Sequence, residues 1–197
     1  MNRLKNALAA TSVAALLSVT ACSDGAGHND ADVSFATEMI PHHAQALAMA
    51  DLTIGRDGLD PQVADLAERI RGEQTPEINT LTDWLTSWGE KAPTTGYASG
   101  DGHTHSDEGM GMGEQVGGDA MPGMMSADDM RRLQDTTDDQ AFGDLWLRMM
   151  IEHHQGAIDM ARTEQQDGES ADALALAQRI ATAQDGEIDT MRKLLAG

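Results

Sequence analysis

The feature that most constrains this chain is an internal repeat. His42-His43 returns as His153-His154 at an offset of 111, and around it Phe35 answers Trp146, Met39 answers Met150, Ile40 answers Ile151, Ala46 answers Ala157 and Met49 answers Met160. A second block follows suit, Ile70-x-x-x-Gln74-x-x-Glu77-Ile78 recurring as Ile180-x-x-x-Gln184-x-x-Glu187-Ile188 at an offset of 110. A chain that carries the same two helical segments twice, in the same order, predicts two helical hairpins. Joined by a long crossover, they pack as a four-helix bundle with a pseudo-twofold axis.

The rest of the sequence agrees with an all-α fold. Aromatic residues make up only 3% of it, and β-branched residues never cluster into alternating runs, so no strand is expected. A first helix is expected from Asp32 to Ile54, closing near Gly55 and Gly58. The second starts at Asp60-Pro61, a capping side chain before a proline in the first turn, and runs to Trp88. Residues 89–125 turn to Gly, Asp, Ser, Thr, Met and His, too polar to bury a core, and read as a long disordered connection. Helicity resumes at Ser126, with Asp129 completing a capping box, and again at Thr137 with Gln140 in the same relation. The third long helix should stop at Gly168 and the last should run from Ser170 to Leu195. The domain is thus 32–197, with a first hairpin over 32–88 and a second over 126–197.

Residues 1–21 stand apart from this domain. Arg3 and Lys5 precede an uncharged stretch that ends in Val19-Thr20-Ala21-Cys22, too short to span a bilayer and bounded by small residues. This is how a bacterial lipoprotein signal looks, with Cys22 as the lipidated residue and 22–31 as a polar tether. An ordinary signal peptide with an incidental cysteine is the other reading. Either way the domain is exported, and the lipid-anchored version sits at the outer face of the cell membrane. The formal net charge is −20, and loss of two basic residues with the signal makes it −22, which excludes nucleic acid as a partner. Without its single cysteine the domain has no thiolate to offer a metal, so any soft ligand must be methionine.

Wound at about 3.6 residues per turn, Phe35, Met39, His42, Ala46, Met49 and Ala50 share one face of the first helix. Trp146, Met150, His153, Ala157, Met160 and Ala161 share the equivalent face of the third, with His43 and His154 at the edges. A buried stripe of Met and Ala is often mere packing. Here each stripe sets an imidazole between two thioethers, and burying such a ring without a partner is costly. Thioether sulfur is a soft donor that favours Cu(I), while imidazole accepts copper in either oxidation state. The candidate metal ligands are therefore Met39, His42, His43, Met49, Met150, His153, His154 and Met160. Auxiliary candidates are Glu77 and Glu187 in the repeated second block, and His103, His105, Met110, Met112, Met121, Met124 and Met125 in the connection. Histidine ligands with ordinary titration would weaken copper affinity in mild acid.

The segments FATEMIPHHAQALAMA (Phe35 to Ala50) and LRMMIEHHQGAIDMA (Leu147 to Ala161), with MPGMMS at Met121 to Ser126, closely resemble a bacterial family of ferritin-like domains of unknown function. The resemblance covers most of residues 32–195. It implies a ferritin-like four-helix bundle and, through characterised relatives, an exported copper-binding protein linked to copper resistance, without catalysis. Copper ions, the lipid bilayer and a copper-transfer protein would be its partners, and self-association is left open. Two alternatives remain. One is a di-iron oxidase, although Met39 and Met150 stand where its Glu-x-x-His pairs need carboxylates. The other is a metal-free envelope scaffold whose histidines hydrogen-bond to Glu or Gln across the bundle.

Overall fold

A computed structural model describes residues 27–95 and 121–197. Its helices are α1 (Asp30–Asp51), α2 (Pro61–Trp88), α3 (Ala127–Asp135), α4 (Asp139–Asp167) and α5 (Ala171–Ala196), with no strand among the described residues. The four long helices form the bundle: α1 packs on α2, α4 on α5, and α1 against α4. The signal segment, Cys22 and the middle of the connection lie outside the described residues. No helix among the described residues is long and apolar enough to cross a membrane.

Local chemistry sets the helix ends. α1 begins two residues before the expected start because Asn29 accepts from the Ala31 and Asp32 amides at 2.8 and 3.1 Å, while Asp32 reaches back to the Asn29 amide at 2.6 Å. Ser126 and Asp129 make the expected capping box on α3. The expected cap at Thr137 is displaced by one residue: Asp138 accepts from the Ala141 amide at 2.8 Å and caps α4. A carboxylate brings a full negative charge to the positive end of the helix, which a threonine hydroxyl does not. α1 runs without interruption through Pro41, and α2 through Pro76.

α1 and α4 lie antiparallel, fastened at three levels. The Asn29 amide nitrogen donates to the Asp167 carbonyl at 2.8 Å at one end, the Trp146 indole donates to the Met49 carbonyl at 2.9 Å further along, and Arg56 pairs with Asp139 at 3.1 Å at the other end. This register brings the two His-His pairs to the same height. Phe35, Met39, Ile40, Ala157 and Met160, before His42 or after His153, belong to one core cluster. Ala46, Met49, Phe142, Trp146 and Met150, after His42 or before His153, belong to the other. Burial of side chains this large contributes about 1.5–3 kcal/mol apiece and holds the register.

At the Asn29 end, two acidic side chains face each other with almost no solvent: Asp32 and Glu164 are 0% and 1% exposed. Burial alone would raise Asp32, but the neighbouring Glu164 and hydrogen bonds from the amides of Asn29, Ser170 and Glu169 outweigh it and keep the carboxylate charged. Glu164 absorbs the conflict; burial, then the neighbouring Asp32 and its charge, push it up to about 8. Because its folded value exceeds the unfolded one, the stability it confers is complete below about pH 4.5 and is lost as pH rises through about 8. Melting temperature should therefore fall between pH 7 and 9. Glu164→Gln, which fills the same space without a proton to lose, should flatten that decline; an unchanged slope would mean Glu164 does not hold the proton.

Candidate metal centre

α1 and α4 bring the histidines together. The rings of His42 and His153 face one another with centroids 3.8 Å apart and planes inclined by 41°. All four histidines are fully buried, as are Met39, Met49 and Met150, and Met160 is only 8% exposed. Both stripes turn inward, as their spacing requires. His43 and His154, expected at the stripe edges, are instead completely enclosed because each is gripped by the neighbouring helix of its own hairpin. His43 Nε2 lies 2.8 Å from Glu77 Oε2 on α2, and His154 Nε2 lies 2.7 Å from Glu187 Oε2 on α5. The same contact thus occurs in both halves.

The acidic partners share one side of the bundle. Glu73, one turn before Glu77, is pushed up by burial and then by the charges of Glu187 and Glu77. Gln74 and Gln184, the matching residues of the second repeated block, are both 3% exposed. Both polar atoms of the Gln74 amide and the Oε1 of Gln184 lack a hydrogen-bond partner.

A short segment of the connection closes one side of the centre. Residues 121–125, read from sequence as the end of a loose linker, form a strap seated on α1 and α4. The carbonyl of Pro122 accepts from His42 Nε2 at 3.1 Å. Met125 exchanges two hydrogen bonds with the Gln45 side chain, its amide donating at 2.7 Å and its carbonyl accepting at 2.9 Å. Two glycines make the approach feasible. Gly123 has φ +75°, and a β-carbon there would sit 2.6 Å from the Glu152 carbonyl oxygen. A β-carbon on Gly156 would meet the Pro122 carbonyl oxygen at 2.0 Å. Of the strap methionines, Met125 is buried and Met121 and Met124 are half-buried. His103, His105, Met110 and Met112 lie outside the described residues.

The electrostatics keep the paired rings neutral. Burial, reinforced by the nearby His43, pushes His42 down to about 3. Burial and then the facing His42 hold His153 well below the ordinary imidazole value. The expectation that copper affinity weakens in mild acid assumed an ordinary imidazole; at pH 5 this pair has no proton to displace. Among the described residues no three His, Asp or Glu side chains converge so as to hold an ion by themselves. Met39, Met49, Met150 and Met160, carried by the same two helices, are buried thioethers close to the pair in sequence.

Signals for the supporting residues were thin. Glu77 and Glu187 stood in the repeated block, but spacing alone does not say that each spends one oxygen on a histidine. Gln45, Gly156 and Pro122 have no periodic signature, and the Asp32–Glu164 pair joins residues 132 positions apart.

Known proteins support the same architecture. A family model described as a domain of unknown function, DUF305, matches residues 32–195. A solved DUF305 protein from Streptomyces coelicolor is 30% identical, with a TM-score of 0.66, covering 84% of this chain and 91% of that one. A DUF305 fragment from Deinococcus radiodurans is 27% identical with the same TM-score of 0.66, covering 85% of this chain and 97% of its own. CopM in a Cu(II)-bound form is 26% identical with a TM-score of 0.62, covering 84% of this chain and 95% of that one. No curated protein matches the sequence. With the model spanning nearly all of the helical domain, the chain belongs to the DUF305 family.

Proposed function

We propose that this protein binds copper, as Cu(I), between α1 and α4 and keeps or passes it on outside the cell membrane, without catalysing a reaction. One observation carries the reading: a pair of buried neutral histidines, centroids 3.8 Å apart, whose rings keep three nitrogens without a side-chain partner, His42 Nδ1 and both of His153, on helices that also bury Met39, Met49, Met150 and Met160. An unmet polar atom in a core costs about 1–3 kcal/mol, so such a cluster calls for an occupant. Neutral imidazole and thioether together fit a soft monovalent ion far better than a hard one. Met39, His42, His43, Met49, Met150, His153, His154 and Met160 would form the binding region, with Met121, Met124 and Met125 able to receive an ion from outside. The likeness to CopM, a protein crystallised with Cu(II), lends support. A lipoprotein signal ending at Cys22 would tether the domain to the bilayer, within reach of a copper-transfer partner.

A metal-free scaffold is the second reading. The His43–Glu77 and His154–Glu187 bonds favour it, since they satisfy two of the four histidines without an ion. They leave His153 without a side-chain partner. A di-iron oxidase fares worse, for the residues one turn before His42 and His153 are Met39 and Met150.

Anaerobic calorimetric titration with Cu(I) separates these readings. The wild type should release heat saturably, and the His42→Ala, His153→Ala double variant should bind at least tenfold more weakly, about 1.4 kcal/mol or more. Equal heats from the two proteins would leave only the scaffold.

A further inference from the structure

Three of the four buried histidines share one arrangement, in which Nε2 faces an oxygen and Nδ1 has no hydrogen-bond partner. For His42 the oxygen is a backbone carbonyl, which only accepts, so Nε2 carries the hydrogen and Nδ1 the lone pair. For His43 and His154 the oxygen belongs to Glu77 and Glu187, at 2.8 and 2.7 Å. Their Nδ1 atoms are buried and unpartnered, as is the second oxygen of Glu187. A carboxylate behind an imidazole that presents its other nitrogen to a cavity is how proteins prepare a histidine for a metal: it fixes the tautomer, orients the ring and raises the basicity of the free nitrogen.

We infer that Glu77 and Glu187 are positioning residues, not metal ligands: each locks its histidine with the hydrogen on Nε2 and turns Nδ1 into the bundle as a copper donor. This rests on the copper reading above and assigns a ligating atom within it. It also gives the repeated second block a purpose, since Glu77 and Glu187 occur at matching positions and each meets the histidine of its own hairpin. His42 obtains the same lock from the strap carbonyl, and His153 has no carboxylate of its own.

Two measurements test this. Long-range ¹H–¹⁵N spectra of the apo wild type should show His43 and His154 as the Nε2–H tautomer, and Cu(I) should shift their Nδ1 resonances. In anaerobic competition with a chromogenic Cu(I) chelator, the Glu77→Ala, Glu187→Ala variant should bind about 10- to 100-fold more weakly than wild type. The Glu77→Gln, Glu187→Gln variant should keep the tautomer, because the amide oxygen still accepts from Nε2–H, and should lose less affinity. Rings found as Nδ1–H, or Nδ1 resonances unmoved by Cu(I), overturn the inference, and this holds even if the alanine variant does not fold. Unchanged affinity in a folded alanine variant overturns it too. A wild type that takes up no Cu(I) overturns the copper reading itself.

Discussion

The metal-free protein should be most stable near pH 6.5 and lose about 3 kcal/mol between there and pH 4.5, read as a falling urea midpoint at constant slope. Both His42 and His153 are depressed by burial, the former to about 3. A histidine whose folded value is lowered gives stability that is complete above its unfolded value and is lost as pH falls, because the unfolded chain takes a proton that the core refuses. Each such group costs about 1.4 kcal/mol per pH unit once the unfolded histidine is charged. Glu164 runs the other way over the same interval, since its value is raised to about 8 and its protonated form is the one the fold accepts. Set against Glu164, the two histidines leave a net slope of about one, hence about 3 kcal/mol over two units, and Glu73, also raised, makes the limb shallower toward its acid end. The components separate by mutation. Glu164→Gln should steepen the acid limb toward two protons, and His42→Leu with His153→Leu should remove it. A urea midpoint that is the same at pH 6.5 and 4.5 in the wild type would show that the paired rings are reached by solvent.

This acid limb bears on the proposed cargo. An ion that binds only the folded state stabilises it in proportion to the logarithm of its concentration over its dissociation constant. Cu(I) should therefore protect the domain in mild acid, where the apo form weakens. At the His42–His153 pair the competition between copper and protons is then felt through folding, not through titration of those two rings in place.

The repeat made the bundle legible because duplication fixes topology more tightly than any local propensity. Helical spacing then placed Met39, His42, Met49, Met150, His153 and Met160 on inward faces, and all are buried. Where the reading fell short, the missing information was tertiary. Periodicity could not place His43 inside, because its enclosure comes from α2 and from Glu77. An ordinary histidine titration was assumed for the same reason: nothing in the order of residues tells that His42 and His153 desolvate one another at 3.8 Å. The Thr137 cap failed at finer scale, where two adjacent residues could each cap α4 and the charged one did. The strap was hidden by its composition. Met121 to Met125 is as rich in Gly, Pro and Met as a loose linker, yet its backbone is spoken for by His42 and Gln45.

That strap breaks the symmetry of the repeat, and Gly156 is the residue on which it depends. In the first hairpin the matching position is Gln45, which grips Met125; in the second it is a glycine, which makes room for Pro122. Gly156→Ala should unseat the strap, because the new methyl group would stand 2.0 Å from one backbone atom and 2.4 Å from the next, neither of which can swing aside as a side chain would. Loss of the His42–Pro122 bond and both Gln45–Met125 bonds, at about 1 kcal/mol each, sets an expected destabilisation of about 2–4 kcal/mol. Hydrogen exchange should report it locally: the Met125 amide, protected in the wild type by Gln45, should exchange much faster in the variant, while amides of α2 and α5 keep their order of protection. With His42 Nε2 released and one side of the paired rings open to water, Cu(I) transfer to an added chelator should also quicken. Retained protection at Met125 in a folded Gly156→Ala protein would mean that α4 yields instead of the strap, and that the strap is not what closes the centre.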